Sequence, residues 1–188
     1  MTFFKGTEYA RLETDRLELI EINPAMSRVL LNECSDGEIV DFLGLDSIED
    51  FSVDLEKYRT GMETYRISYA NFIMVNKQRG RFIGRCGFHM WFALHQRAEI
   101  GYAMNSDDDK GKGYMSEAIA ALIDHGFGPM GLNRIEAFVG LHNPASQRLM
   151  HKFGFTLEGV MREHYCKDGL IEDSLCFSLL KREYIKAI

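Results

Sequence analysis

The chain has 188 residues, of which 46% are hydrophobic, 27% charged and only three proline, a composition that specifies an ordered globular protein and excludes a disordered or collagen-like one. Its formal net charge of −6, with no Lys/Arg-rich run, offers no positive field to draw in nucleic acid; the excess of acid mildly favours cationic partners, or serves solubility alone. The length suits one domain spanning residues 1–188, Met1 to Gly6 has no apolar signal core, and no stretch approaches the ~18 apolar residues of a membrane span, so a cytoplasmic protein is expected.

Arg16 to Ile22 alternates charged and apolar residues before Asn23-Pro24, the period-two signature of a half-buried strand. From Ala25 to about Gly61 the pattern becomes helical, with Gly37 and Gly44 as breaks, and predicts two or three short helices. Ile67 to Val75 and Arg81 to Trp91 are apolar and aromatic runs joined by a polar loop ending in Gly80, and Arg97 to Met104 adds a third strand to this meander. After the charged segment Asp107 to Gly113, the apolar spacing predicts a helix from about Tyr114 to Phe127, stopped by Gly126, Gly128 and Pro129. Arg134 to Val139 alternates again. Asn143-Pro144 supplies an N-cap and a first-turn proline for a short helix ending at Gly154. Phe155 to Tyr165 and Ile171 to Leu180 flank Lys167-Asp168-Gly169, a hairpin signal. The order is strand, helices, three strands, helix, strand, helix, two strands: an α/β (α+β) fold with a mixed, mostly antiparallel sheet of about seven strands. The strand-helix-strand step requires one parallel pair.

Cys34, Cys86, Cys166 and Cys176 are widely spaced, with no histidine at metal-ligand distance, so reduced thiols and no metal are expected. The chemically informative segment is Gly111-Lys112-Gly113, which joins a predicted strand to a predicted helix. Its N–H groups can converge on an anion at the positive end of the helix dipole, and a diphosphate is the natural ligand. A Walker loop fails because Tyr114 follows Gly113 where lysine is needed. A dinucleotide fingerprint fails because Ser116 stands where glycine or alanine is required. A coenzyme A loop and a purely structural turn remain.

The surroundings decide between those two. Ala98-Glu99-Ile100-Gly101-Tyr102, Gly111 to Ala118, Leu132 to Ala137, Asn143-Pro144-Ala145-Ser146 and Lys152 to Gly159 together resemble a GNAT-superfamily acetyltransferase of the ribosomal-protein N-terminal branch, the RimJ and RimL type. Thr14 to Leu19 is similar to that branch's first strand, so the likeness spans nearly the whole chain. It implies that acetyl-CoA is the co-substrate. Its diphosphate would lie on Lys110, Gly111, Lys112, Gly113, Tyr114, Met115 and Ser116, and its pantetheine between two splayed strands, Arg97 to Met104 and Arg134 to Gly140. Backbone donors near Tyr102, Ala103 and Met104 would meet the thioester carbonyl. One departure stands out: Asp108 occupies the place where relatives carry Gln or Arg, so Asp107 to Asp109 are expected to point outward, offset by Lys110 and Lys112.

Acetyl transfer to an amine needs a neutral amine, a held thioester, and a proton for the departing thiolate, with no metal or covalent intermediate. The resemblance implies direct attack in a ternary complex. Ser146 is the candidate acid, against the alternative of a first-turn serine satisfied by backbone. Asn143 is an N-cap that can also touch pantetheine. Glu99 is the candidate base, against a solvent-facing strand carboxylate, and Tyr165 is a second polar candidate. Arg148 and Lys152 share one helix face and can reach phosphates, or form an exposed basic face. His89 and Trp91 can line an acceptor cleft, or belong to the core. The acceptor implied is a protein N-terminal α-amine. A polyamine, amino sugar or amino acid is the alternative, and a non-catalytic acetyl-CoA-binding domain a third. The last hairpin can pair edges in a homodimer.

Overall fold

The computed structural model describes residues 7–60, 64, 66–167 and 169–184; Met1 to Gly6, Gly61 and Asp168 of the last turn lie outside the described residues. In chain order the elements are β1 (Arg11–Glu13), β2 (Leu17–Ile22), α1 (Pro24–Glu33), α2 (Asp36–Leu43), α3 (Ser52–Thr60), β3 (Ser68–Asn76), β4 (Arg81–Phe92) and β5 (Arg97–Met104). They continue with α4 (Tyr114–Phe127), β6 (Arg134–Gly140), α5 (Pro144–Lys152), β7 (Thr156–Lys167) and β8 (Leu170–Leu180). Among the described residues these form one eight-stranded sheet in the order β1-β2-β3-β4-β5-β6-β8-β7. The expected seven strands are all present. The eighth, β1, has three residues, too few for alternation to register in sequence.

The two helical segments bury different apolar sets on the sheet. Met26, Leu30, Ile39, Leu43 and Leu55 of α1 to α3 cluster with Ile20, Ile22, Ile73 and Phe82. Ala118, Ile119, Leu122 and Ile123 of α4, with Met150 of α5, cluster with Leu17, Phe72, Phe88, Ile135 and Phe177. Each fully buried large aliphatic side chain contributes about 1.5–3 kcal/mol. The alternation along β2 and β3 therefore feeds both clusters: Ile20, Ile22 and Ile73 face the first, and Leu17, Leu19, Ala70, Phe72 and Met74 face the second. Helix ends follow local chemistry: Ser35 and Glu38 form a capping box on α2, and Asn23 caps α1 with Pro24 in its first turn.

Every strand pair is antiparallel except β5–β6, joined by the α4 crossover. This parallel pairing lasts three residues, Arg97↔Arg134 to Glu99↔Glu136. Beyond it β5 stays with β4 as far as Met104↔Gly84, and β6 stays with β8 as far as Gly140↔Ser174. The two strands diverge because each follows its outer neighbour, leaving a gap in the sheet.

Candidate active site

The gap is clamped at its closed end. Arg97 Nη1 reaches Glu136 Oε2 at 2.7 Å, and Arg134 Nε reaches Glu136 Oε1 at 2.7 Å. Arg134 also grips Glu158 on β7 through two bonds, 2.8 and 2.7 Å, while Ser178 Oγ donates to the same carboxylate at 2.6 Å. Arg134 and Ser178 hold the Glu158 carboxyl down to about 2.

At its open end the gap meets three clefts. The largest, of about 780 Å³, runs between the end of β5, the α4 entry loop and α5. Gly111 and Gly113 both have positive φ, 72° and 82°, and Gly113 serves as the N-cap of α4 without a side-chain cap bond. The first N–H groups of α4 therefore face the cleft with no side chain competing for them. A Cβ on Gly111 would meet nothing within 4 Å, so its place in the turn is set by φ and not by crowding. Tyr114, Met115 and Ser116 line the cleft on the helix side, with Lys110 on the loop. Tyr102, Ala103 and Met104 line it from β5; Asn143, Ser146, Arg148 and Lys152 line it from α5. The Lys152 ammonium donates to Ser116 Oγ, tying the two helices together.

The loop departs from expectation at two residues. Asp109 does not point outward: it is 2% exposed, with Arg79 Nη1 at 2.9 Å and Arg81 and Lys112 each at 3.7 Å. Three cations from the β3–β4 turn and the loop make its burial tolerable. Asp107 and Asp108 are exposed as expected, Asp107 paired to Lys110. Lys112 does not line the cleft; its ammonium turns toward Asp109 and its carbonyl accepts from Arg16 Nη1 at 3.0 Å. Arg16 is a residue the strand pattern did not single out. Its Nε lies 2.7 Å from Glu117 Oε2, and its guanidinium stacks 4.6 Å over the Tyr114 ring.

Ser146 sits in the first turn of α5, where its N–H donates to the Asn143 side chain at 3.1 Å, which makes Asn143 the expected N-cap. The Ser146 side chain faces the Tyr102 phenol, whose ionisation burial raises and Ser146 partly eases. The second cleft, of about 340 Å³, opens on the opposite side of β5 and shares Tyr102 and Ala103 with the first. It lies beneath α3 and is lined by Asp54, Tyr58, Asn71, Arg85, His89 and Tyr165. His89 lies flat on β5: a Cβ on Gly101 would fall 2.4 Å from its Nε2. Burial and then Lys57 lower the imidazole, which is neutral at pH 7. Trp91 lines none of the three clefts; it is partly buried and packs against the main core.

The third cleft holds Glu99, Asn143 and again Tyr165. Burial, followed by the neighbouring Glu136, raises the Glu99 carboxyl above its ordinary range. Glu99 thus stands where the closed end of the gap gives way to the open end. No helix of the described residues is long and apolar enough to cross a membrane, and no group of three or more metal-ligating side chains occurs among them.

Comparisons with known proteins agree with this geometry. The model of the acetyltransferase (GNAT) domain family matches residues 16–156. Over 174 residues the chain is 36% identical to the uncharacterized N-acetyltransferase p20 of Bacillus licheniformis, covering 92% of this chain and 97% of that protein. It is 33% identical over 95 residues to the ribosomal-protein-serine acetyltransferase of Escherichia coli K12, 50% of this chain and 52% of that one. Among solved structures, mutant forms of the spermidine/spermine N-acetyltransferase SpeG from Vibrio cholerae superpose with a TM-score of 0.64 over 90% of this chain and 97% of that one. At 21% identity this is a likeness of fold alone. The chain belongs to the GNAT acetyltransferase family, and as such is an N-acetyltransferase whose family co-substrate is acetyl-CoA.

Proposed function

We propose that this single-domain protein transfers the acetyl group of acetyl-CoA to the α-amine of a polypeptide N-terminus by direct attack in a ternary complex. The observation that carries the proposal is the meeting of two clefts, from opposite sides of the sheet, at Tyr102 and Ala103. One cleft has uncapped helix N–H groups and the cations Lys110, Arg148 and Lys152, a donor set that fits a diphosphate. The other leads an amine to the same two residues. Past Glu99 the edge of β5 facing β6 has no strand partner, so its main chain is available to a pantetheine and to the thioester carbonyl.

In this scheme Ser146, on the coenzyme side and beside Tyr102, donates the proton taken by the departing thiolate. Glu99, its carboxyl raised by burial, takes the proton leaving the amine; Tyr165, common to the second and third clefts, is the second candidate, able to relay that proton through its hydroxyl. His89 lines the acceptor side. The half-length similarity to a ribosomal-protein-serine acetyltransferase supports a polypeptide acceptor. A homodimer is supported by β7, an edge strand exposing Leu157, Val160 and Met161.

The test is calorimetric titration with acetyl-CoA, followed by thiol release in the presence of peptides with free amino termini. Binding together with thiol release is expected. A titration without heat or saturation would remove the cleft assignment.

A further inference from the structure

Among the described residues, four buried polar atoms of the acceptor-cleft lining lack a hydrogen-bond partner: Asp54 Oδ2, which is ion-paired to Arg85, Tyr102 Oη, where the two clefts meet, and, on the adjacent strands β4 and β3, Arg85 Nε and Asn71 Oδ1. Native interiors rarely leave such groups unmatched, and a bound water or a ligand of complementary pattern would match them. Arg85 and Asn71 are both held in place. Arg85 Nη1 lies 2.7 Å from Asp54 Oδ2, and its Nη2 donates to Asn105 Oδ1 at 3.3 Å. Asn71 directs its Nδ2 to the Tyr58 hydroxyl at 3.4 Å. Neither side chain can turn to satisfy the open atom without breaking a contact it already makes.

Their order matters. Arg85 stands directly across from Ala103, where the two clefts meet, and Asn71 is one strand farther, opposite Gly87. Gly87 in turn pairs with Gly101. A Cβ on Gly87 would fall 3.2 Å from Asn71 Oδ1 and 2.5 Å from the Ala70 carbonyl, so glycine there lets the Asn71 side chain keep its place. Leading away from Ala103, the cleft therefore offers a donor, Arg85 Nε, and then an acceptor, Asn71 Oδ1.

A peptidyl α-amine presents the complementary sequence: beyond the nitrogen comes a carbonyl oxygen and then an amide N–H. A polyamine offers methylenes and no oxygen, which would leave Arg85 Nε buried and unpaired. A free amino acid offers a carboxylate but no N–H after it. We propose that Arg85 and Asn71 bind the first peptide unit of the acceptor, so that the protein requires an amine followed by an amide bond. This rests on the acetyl-transfer reading of the same clefts.

The test compares trialanine, alaninamide, alanine and spermidine at saturating acetyl-CoA, with thiol release as readout and acetyl-CoA affinity measured separately. Trialanine and alaninamide should exceed alanine and spermidine at least about tenfold in kcat/KM. Asn71→Leu and Arg85→Lys, the second of which keeps a cation beside Asp54, should each raise the KM for trialanine about tenfold and leave acetyl-CoA affinity unchanged. Thermal melts establish that each variant folds, and the wild-type series needs no variant at all. A preference for spermidine or alanine overturns the inference while leaving acetyl transfer standing. So does an unchanged trialanine KM in both variants. Acetyl-CoA binding with no thiol release from any of the four amines overturns this inference and the acetyl-transfer reading together. Failure to bind acetyl-CoA defeats the earlier reading instead.

Discussion

The seam between β5 and β6 behaves as two different objects along its length. From Arg97 to Glu99 it is a hydrogen-bonded parallel pair, cross-braced by Arg97, Arg134, Glu136 and Glu158. From Ile100 to Met104 the same strand faces a gap. Nothing in the backbone of β5 changes at that boundary; what changes is the company each strand keeps. The closed half joins three strands, β5, β6 and β7, through charged side chains, and the open half is held apart by β4 and β8. Affinity for a coenzyme should then depend on the open half, and resistance to unfolding on the closed half.

The largest expected effect tests the open half. Gly113→Val places a β-branched side chain at φ 82°, beside the Arg16 guanidinium 3.4 Å from the new Cβ. Acetyl-CoA affinity should fall on the order of 100-fold by titration, about 2.7 kcal/mol. The unfavourable backbone should also lower Tm by several degrees, from a strain of about 1–2 kcal/mol. Equal affinity would dissolve the distinction between the halves.

Next in size is Ser146→Ala, which should lower kcat roughly tenfold or more and leave acetyl-CoA affinity nearly untouched, because only the proton supplied to the thiolate is lost. A parallel loss of affinity would recast Ser146 as part of the coenzyme wall.

The boundary itself is addressed by pH. If the ionised Glu99 takes the amine's proton, its raised pKa makes kcat/KM fall as pH drops through that raised value. Glu136→Gln removes the like charge that contributes to the shift, so the acid limb should move to lower pH, short of the ordinary carboxylate position because burial persists. An acid limb that stays in place would separate Glu99 from the chemistry.

The smallest effect lies in the closed half. Glu158 is partly exposed, and its folded-state carboxyl is held down to about 2 by Arg134 and Ser178. A depressed folded pKa stabilises the fold above the ordinary glutamate value, and that contribution fades as pH falls from there toward about 2. Glu158→Gln should therefore lower the urea midpoint slightly at pH 7, with the difference from wild type vanishing in acid. Acetyl-CoA affinity at neutral pH should not change.

Much of the open half was readable from local pattern. The glycine spacing, the apolar period of α4 and the Asn143-Pro144 signal each concern residues within a few positions of one another, and the structure realises all three. What escaped is tertiary. Asp109 looked like a solvent-facing acid because the cations that bury it come partly from Arg79 and Arg81, some thirty residues earlier. Arg85 and Asn71 lie inside two apolar runs with no local signal to mark them, and only the register between β3, β4 and β5 sets them in line beside Ala103. Trp91 misled in the other direction, since proximity to His89 along β4 does not survive the irregularity between His89 and Phe92, where Met90 adopts φ 44°. The strand β1 was too short to show any period.

Arg16 carries a kinetic consequence. Its side chain joins the beginning of β2 to Glu117, the Lys112 carbonyl and the Tyr114 ring. The turn before α4 thus owes its shape to contacts more than ninety residues distant in the chain, made when the sheet assembles. If the proposed coenzyme assignment holds, a turn braced in this way should capture the nucleotide in one step at a rate governed by encounter and ionic strength, with no slower isomerisation behind it.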